Sequence, residues 1–479
     1  MTINGNVVQA ALAASVWGVA VPAAAAAAGP ESTIPLTRPG VSALSHSVGF
    51  AANGTKTVVW AQIGGTPPYP AEGQSVQVAR ISKRSKLVWQ GRGSKRKRVR
   101  VTSNVVTGVP FPAASGKTVR EVASATTPAG VTLVAWIERE SATGKTSVLG
   151  SLVNPGNRKG RTFRIAPNGT VAASLRVGAS PSGAAWVVWR TNDGSNSWLE
   201  GARVSPSGAV SATKALSDTN RSVFEPGLAV RSDGSAQLVW RDSTGVLPAV
   251  RSVSVSARGT VGSTVVLNDA SRPVISGPAI ALAGRGTTAV AWAEWTGSSS
   301  VLRVARLAAS GRRGSTVNVT GDGEPSYPSI GVDSGNTATV AWRALKKLPK
   351  DGPEVERVRT MRLGPRGTKG AIVEVGPSSG ETLGSDSTPP ALIVSANGVS
   401  TLAWSVVKPG DVPNIVYLRA VKLRANGRIA AAANLVPARN PDLSHLPSIG
   451  AGSNGTAAVA YLQRDITGNP WALKFVAWP

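Results

Sequence analysis

The chain contains no cysteine and very little histidine, tyrosine or methionine. Of its 479 residues, two are His, two are Met and four are Tyr. The lack of cysteine excludes disulfides, thiolate zinc sites, iron–sulfur clusters and cysteine nucleophiles. The two histidines, His46 and His445, are too few for a metal centre of their own, so we predict neither a metal site nor a cofactor. Packing alone must stabilise such a chain, which a large β-core can achieve.

Acidic residues are scarce relative to basic ones. Lys and Arg total 52 against 25 Asp and Glu, which gives a net charge of +27. This imbalance concerns partners and solubility rather than fold. The predicted partner is an acidic polysaccharide or cell-wall polyanion, with a protein partner as an alternative. We predict no specific nucleic-acid binding and a monomeric state.

Long apolar runs are absent except at the N-terminus. Residues 1–29, MTINGNVVQAALAASVWGVAVPAAAAAAG, carry no charged side chain. The run ends in small residues, as a secretory signal does before its cleavage site, so we assign residues 1–28 to a signal peptide. A retained membrane anchor is the alternative, although Pro22 makes a poor spanning segment. We therefore predict a secreted or cell-envelope-associated protein whose mature chain, 29–479, has no transmembrane span.

A repeat of about 50 residues runs through the rest of the chain. Each unit has an aromatic anchor, and six residues earlier a glycine or asparagine suited to a positive-φ turn. The anchors are Trp60, Trp136, Trp189, Trp240, Trp292, Trp342, Trp404 and Tyr461, and the turn residues are Gly54, Gly130, Gly183, Gly234, Gly286, Asn336, Gly398 and Gly455.

Around each anchor the sequence reads as four short strands joined by hairpin turns. In one unit these are PGLAV, AQLVW, AVRSVSV (249–255) and STVVL (263–267). Four strands per unit is typical of a propeller blade, so we predict an all-β fold: one closed β-propeller with eight four-stranded blades, or seven as the alternative. The last unit ends after its third strand, WALKFVAW (471–478), and ESTIPLT (31–37) resembles a fourth strand. We expect this N-terminal strand to complete the last blade and close the ring.

The stretch SDGSAQLVWRD (232–242) is similar to the Asp box of sialidase-like propellers, and FRIAP (163–167) resembles their arginine motif. This resemblance covers the blade pattern and implies the propeller fold. It does not extend to the catalytic set. Gly234 directly follows Asp233, one residue too early for the box, and FRIAP falls in a predicted outer strand. Of the four tyrosines, Tyr461 is an anchor and Tyr417 lies within a predicted strand; the others are Tyr69 and Tyr327.

Candidate ligand-binding residues follow the anchors, where strands two and three are joined by loops of variable length. Function tends to lie where a rigid scaffold displays variable loops. We therefore predict a ligand-binding face near the axis, formed by Gln62, Glu138, Arg190, Arg241, Asp242, Glu294, Arg343 and Gln463. If the protein cleaves glycosides, Glu138 with Asp242 or Glu294 would be the paired carboxylates. Simple solvent exposure at the strand ends is the alternative.

A basic segment lies in the first unit. Residues 80–100, RISKRSKLVWQGRGSKRKRVR, contain ten Lys and Arg and no acidic residue. The predicted polyanion patch consists of Lys83, Arg84, Lys86, Arg92, Lys95, Arg96, Lys97, Arg98 and Arg100. Charge protection of an outer edge strand is the structural alternative, and both can hold at once.

Three functions remain open from the sequence. The first is a secreted, non-catalytic propeller that binds an acidic glycan or another cell-envelope polyanion. The second is a sialidase-like glycoside hydrolase with an axial pocket on the variable-loop face. The third is a propeller that binds another protein through its loops. We expect no enzymatic activity, and convergent carboxylates in a pocket would favour the second function over the first.

Overall fold

The fold is an eight-bladed β-propeller. The computed structural model describes residues 30–38, 41–63, 74–90, 97–319, 323–347, 354–377, 382–383, 389–408, 415–435, 447–452, 454–463 and 471–478. The strands form eight antiparallel sheets, and the only helical segments in these ranges are the 3₁₀ turns Pro155–Asn157 and Gly284–Gly286. The expected signal peptide lies outside the described residues. Within them, no helix has the length and hydropathy needed to span a bilayer.

The first four blades follow β1 (Ile34–Pro35) in chain order. Blade 1 contains β2 (Ser42–Phe50), β3 (Lys56–Ile63), β4 (Ser75–Gln90) and β5 (Lys97–Pro112). Blade 2 contains β6 (Lys117–Thr126), β7 (Thr132–Glu140), β8 (Thr146–Asn154), β9 (Arg158–Lys159) and β10 (Phe163–Thr170). Blade 3 contains β11 (Ala173–Ala179), β12 (Ala185–Asn192), β13 (Ser197–Val204) and β14 (Lys214–Ala215). Blade 4 contains β15 (Val223–Val230), β16 (Ala236–Asp242), β17 (Ala249–Val255) and β18 (Val265–Val266).

The other four blades repeat this order. Blade 5 contains β19 (Val274–Leu282), β20 (Thr288–Trp295), β21 (Ser300–Leu307) and β22 (Arg313–Asn318). Blade 6 contains β23 (Glu324–Val332), β24 (Ala338–Lys347), β25 (Glu354–Leu363) and β26 (Lys369–Gly376). Blade 7 contains β27 (Thr382–Leu383), β28 (Ala391–Val394), β29 (Ser400–Lys408), β30 (Ile415–Leu423) and β31 (Ile429–Asn434). Blade 8 contains β32 (Ser448–Ala451), β33 (Ala457–Gln463) and β34 (Ala472–Trp478).

The ring closes in the predicted way. The fourth strand of blade 8 is β1, whose Ile34 pairs with Phe475 and whose Pro35 pairs with Lys474 on β34. At the axis, the first strand of each blade contacts the first strand of the next, and β32 contacts β2. Across that last junction, His46 Nδ1 lies 2.6 Å from Ser448 Oγ. The prediction of eight blades closed by the N-terminal strand is confirmed, and the seven-bladed alternative is ruled out.

Packing between blades forms the core. Eight clusters of buried apolar side chains each join two adjacent blades, and each contains the anchor of the later blade in chain order, blade 1 following blade 8. Trp292, for example, packs with Val239 and Val250 of blade 4. All eight anchors are at most 5% exposed. The anchors are therefore wedges between blades, which explains why the repeat demands an aromatic at this position.

The turn between the first and second strands also follows the prediction. All eight turn residues have a left-handed backbone, with φ between +63° at Asn336 and +90° at Gly183. In blade 4 the Gly234 N–H donates to the Arg231 carbonyl at 3.0 Å, which closes a four-residue turn that ends at the left-handed residue. These turns and the turns between strands three and four lie on one side of the ring, which we call the hairpin face. The opposite side, with the loops between strands two and three, is the loop face.

The prolines of the first strands differ partly from expectation. Pro390 and Pro447 directly precede β28 and β32, as expected for a strand's first position. Pro226, Pro278 and Pro328 instead lie inside β15, β19 and β23, next to shifts in strand register. These strands are the innermost in their blades and have a free edge, so a missing N–H at a bulge costs little.

Hydrogen-bond donors, most of them arginines, link several pairs of neighbouring blades at the hairpin face. Arg80 Nη2 donates to the Gly130 carbonyl at 2.7 Å and to the Val153 carbonyl at 2.8 Å. Other donors reach the same turn carbonyl in later blades: Trp186 to Gly234, Arg231 to Gly286, Arg306 to Asn336 and Arg362 to Gly398. Part of the large positive charge thus serves the fold and is not available to a partner.

Candidate functional site

The acidic residues that follow the anchors are buried between blades. Glu294 is 2% exposed, and its carboxylate accepts hydrogen bonds from Trp292 Nε1 at 3.0 Å and Arg303 Nε at 2.8 Å. Arg272, from the segment that joins blades 4 and 5, approaches the same carboxylate at 3.4 Å. The negative charge of Glu294 is therefore neutralised by arginines within the same interface.

Asp242 repeats this arrangement one blade earlier. It is 2% exposed and lies between Arg251 on β17 and Arg221, whose Nη1 is 3.7 Å from Asp242 Oδ2. Burial alone would raise the pKa of Asp242, but hydrogen bonds from Thr244 and the Arg251 guanidinium outweigh burial and hold that pKa below its usual value. Asp242 is thus a stable carboxylate at neutral pH.

Glu138 is buried in the same way, and its carboxylate accepts a hydrogen bond from Trp136 Nε1 at 3.2 Å. Glu138, Asp242 and Glu294 belong to three different blades, and each lies on the side of its strand that bears the anchor. The structure therefore places these three carboxylates in three separate interfaces and does not bring them together.

The arginines that pair with Asp242 and Glu294 were not identified from the sequence. A basic residue stands directly opposite the anchor on the third strand of five blades: Arg251, Arg303, Arg359, Arg419 and Lys474. In blades 5 to 7 a second basic residue follows three positions later, as in Arg303 and Arg306. An odd separation puts two strand residues on opposite faces of the sheet, so one faces the preceding blade and the other faces the next. This three-residue spacing was the sequence signal that could have identified the arginines between blades.

The arginines directly after the anchors meet aromatic rings near the axis. The guanidinium carbons of Arg190 and Arg241 lie 5.4 Å and 5.6 Å from the ring centroid of Phe224 on the innermost strand β15. Arg241 Nε also lies 3.0 Å from Glu225 Oε2. The structure thus brings together two of the predicted residues, Arg190 and Arg241, around a ring that sequence reasoning did not identify.

A related contact occurs in blade 6. The Arg343 guanidinium lies 5.9 Å from the Tyr327 ring centroid and forms an ion pair with Glu356. Tyr327 and Glu225 both have a left-handed backbone, with φ of +48° and +52°, and both directly precede a proline. Such a conformation is uncommon for residues other than glycine. The residue before the first-strand proline was therefore the sequence signal for these contacts near the axis.

The first strands of blades 2 and 3 are also linked near the axis. Glu121 Oε1 accepts the Leu175 N–H at 2.9 Å and lies 3.9 Å from Arg176 Nη1. Burial raises the pKa of Glu121, and the Arg176 charge opposes that rise. Glu121 thus connects the neighbouring first strands of blades 2 and 3.

The two predicted glutamines lie at strand ends. Gln62 is half-buried opposite Ala43, and Gln463 is half-buried opposite Ala472. The loops that follow them, 64–73 and 464–470, lie outside the described residues. The structure therefore places these side chains on the loop face without showing what covers them.

The basic segment forms a two-stranded arm. Strand β3 pairs with β4 only as far as Ile81, whereas β4 and β5 continue to pair for nine more residues, from Ser82–Val105 to Gln90–Lys97. At about 3.3 Å per residue this basic arm, residues 82–90 and 97–105, extends roughly 30 Å beyond the edge of β3. It lies on the hairpin face, because its tip is the turn between strands three and four.

Several predicted patch residues are exposed on the basic arm. Lys83, Arg84, Lys86 and Arg98 are exposed, and Leu87 between them is 58% exposed. Lys83 forms an ion pair with Glu31. Only backbone pairing is described for Lys97 and Arg100, while Arg92, Lys95 and Arg96 lie outside the described residues.

Comparison with known proteins finds distant similarity to solved structures. No protein-family model and no curated protein matches the chain. An ulvan lyase structure is 11% identical over 72% of this chain and 89% of its own, with a TM-score of 0.40. The α-L-arabinofuranosidase of Fusarium graminearum is 12% identical over 64% of this chain and 92% of its own, with a TM-score of 0.41. The propeller domain of the Trilobed protease from Pyrococcus furiosus is 11% identical over 76% and 94%, with a TM-score of 0.41. At this level of similarity they carry no information about the activity of this chain.

Proposed function

We propose that this protein is a secreted, non-catalytic propeller that binds an acidic polysaccharide through its hairpin face. The basic arm carries this proposal. Arg84 and Lys86 are exposed and have no acidic partner among the described residues, so their charge is available to a polyanion. A solvated cation row of this kind attracts polyanions with an affinity that falls as salt rises.

Other hairpins add to the same face. The turns between strands three and four in blades 4 to 7 carry exposed arginines, namely Arg258, Arg312, Arg366, Arg424 and Arg428. A polymer chain that contacts the basic arm could therefore continue across the face. The expected secretory N-terminus supports an envelope polymer as the ligand, because acidic polysaccharides and related polyanions are abundant there.

Burial of the acidic residues supports a binding role over a catalytic one. A glycosidase needs two carboxylates that flank the scissile bond in one pocket. Glu138, Asp242 and Glu294 are instead engaged by their own blades in three interfaces.

Retention on heparin in a salt gradient tests the proposal. We expect Arg84→Gln/Lys86→Gln to elute at clearly lower salt than the wild type. The matched control is Lys117→Gln/Lys145→Gln, which removes the same charge from the loop-face end of blade 2. If the control pair shifts elution as much as the arm pair, net charge and not the arm governs binding.

A second assay addresses catalysis. Incubation with heparin and with polygalacturonate should leave polymer length and reducing-end concentration unchanged. Shortening of either polymer by the wild type, and not by heat-denatured protein, would contradict the non-catalytic role.

A further inference from the structure

A pocket lies at the seam where blade 8 meets blade 1. It has a volume of about 580 Å³, within the range of roughly 300–1,000 Å³ usual for small-ligand sites. Residues 51–55 of blade 1 and the equivalent Gly452, Asn454 and Thr456 of blade 8 form its sides. Ser82 and Lys83 at the base of the basic arm form a third side. The pocket therefore opens on the hairpin face beside the arm.

Lys56 is the unusual residue of this pocket. It is the first residue of β3, lines the pocket and is only 5% exposed. Within the described part of the chain, its ammonium has no hydrogen-bond acceptor, and its Nζ lies 6.0 Å from the Phe50 ring centroid. Burial lowers the pKa of Lys56, and the nearby Glu31 opposes that shift. A cation held on a largely buried side chain is stabilised when an anion compensates its charge.

Charge in the pocket remains positive after internal pairing. Glu31 forms an ion pair with Lys83, so one carboxylate serves two ammonium groups. The pocket thus retains one positive charge for a ligand.

The rim supplies neutral donors. Asn53 Oδ1 accepts the Thr55 N–H at 3.0 Å, and Asn454 Oδ1 accepts the Thr456 N–H at 3.1 Å. Each asparagine uses its carbonyl oxygen in its own turn, so the NH₂ group of each is the part that can donate to a ligand. The rim therefore presents matched amide donors from two blades.

We propose that this seam pocket binds one acidic sugar residue, with the anionic group of the sugar on the Lys56 ammonium and its hydroxyls on the Asn53 and Asn454 amides. The Phe50 ring supplies an apolar wall, as sugar-binding and other small-ligand pockets require beside their polar groups. This inference rests on the proposed function and deepens it, because the arm gathers the polymer and the pocket selects a residue of it.

Asparagine-to-aspartate variants test the rim. Asn53→Asp and Asn454→Asp keep the oxygen that holds each turn and replace the donor with a negatively charged acceptor. Blade 4 already has Asp233 at the equivalent position, where its carboxylate accepts the Ser235 N–H at 2.8 Å, so the turn accommodates aspartate. Ser182→Asp places the same charge at the equivalent turn of blade 3 and is the matched control.

Tetragalacturonate, titrated by calorimetry into the full chain at low salt, is the probe. We expect each rim variant to weaken binding by about tenfold or more and Ser182→Asp to leave it within about twofold. A sulfated tetrasaccharide without carboxylates distinguishes a sulfate from a carboxylate as the anionic group. Equal tetragalacturonate affinity in all three variants would overturn the inference.

Lys56→Met supplies a second, independent test. Because the ammonium has no hydrogen-bond acceptor among the described residues, we expect this variant to unfold at the same or a higher urea concentration than the wild type, and to lose tetragalacturonate binding. Strong destabilisation would show that the charge is satisfied within the fold and would refute the role in binding.

Failure of this inference is distinguishable from failure of the proposed function. If heparin retention depends on Arg84 and Lys86 while no variant of the pocket changes tetragalacturonate binding, the pocket is refuted and the arm stands. If the wild type is retained by no acidic polymer, both fall together.

Discussion

Arg306 Nη2 on the third strand of blade 5 donates a 2.7 Å hydrogen bond to the main-chain carbonyl of Asn336 in the first turn of blade 6. Arg80 and Arg362 do the same at equivalent positions in blades 1 and 6. The large positive charge of this chain thus divides into arginines that join blades and arginines that remain in solvent. Only the second group is free to contact a partner.

Replacement of Arg306 should weaken the joint between blades 5 and 6. Arg306→Met removes a hydrogen bond from a charged donor to a turn carbonyl, so we expect a loss of about 1–3 kcal/mol in the free energy of unfolding. Urea titration measures this change. Arg312→Met, an exposed arginine in the adjacent hairpin, is the control and should change stability by less than about 0.5 kcal/mol. Equal effects of the two substitutions would show that Arg306 has no special role.

Truncation of an anchor should lower the free energy of unfolding far more than replacement of Arg306. Trp292 is 1% exposed and fills the interface between blades 4 and 5, so Trp292→Ala should cost about 3–5 kcal/mol. Trp295, half-buried at the end of the same strand, provides the matched control, and Trp295→Ala should cost clearly less. Denaturation midpoints of the two variants, measured by tryptophan fluorescence or calorimetry, compare their stability. Similar midpoints would contradict the role of Trp292 as a wedge between blades.

The closing strand can be tested at Ile34. Its backbone pairs with Phe475, and its side chain packs on the cluster between blades 8 and 1. Ile34→Asp should therefore lower stability and promote association through the uncovered edge of β34. Ser32→Asp, at an exposed position two residues earlier, should leave the oligomeric state of the wild type unchanged. Light scattering after size exclusion measures association, and urea titration measures stability. An Ile34→Asp variant with the oligomeric state and the stability of the wild type would argue against closure by this strand.

Asp242 predicts a specific dependence of stability on pH. Its pKa in the folded protein lies below the unfolded value of about 3.8, so its contribution to stability is complete above that value and is lost as pH falls through the folded pKa. The stability difference between the wild type and Asp242→Asn should be large at neutral pH and should shrink in acid. Urea titrations over a pH series measure it. A difference that is constant down to pH 2 would contradict the ion pairs with Arg251 and Arg221.

The repeat made the fold largely predictable. Positive-φ glycines such as Gly234, wedge aromatics such as Trp240 and the missing fourth strand of the last unit each reflect a backbone or packing requirement that recurs in every blade. A requirement repeated eight times is visible in one sequence.

The candidate site was less predictable, because its contacts join residues whose spacing varies. From the sequence, Asp242 and Glu294 lie at strand ends, where solvent exposure was one of the two interpretations. In the structure both are buried and form ion pairs with Arg251 and Arg303. One sequence does not show which residue of a strand contacts which residue of its neighbour. Phe224 was missed because it occurs in one blade only. The 80–100 segment was recognised as basic, but its extension into an arm depends on the register between β4 and β5, which composition does not reveal.

The central claim, that the basic arm is the polyanion contact, is tested most directly by hydrogen exchange with and without polygalacturonate. We expect slower amide exchange in residues 82–90 and 97–105 on addition of the polymer, with no change in loop-face residues 141–145 and 193–196. Protection confined to those loops, with the arm unchanged, would contradict the account.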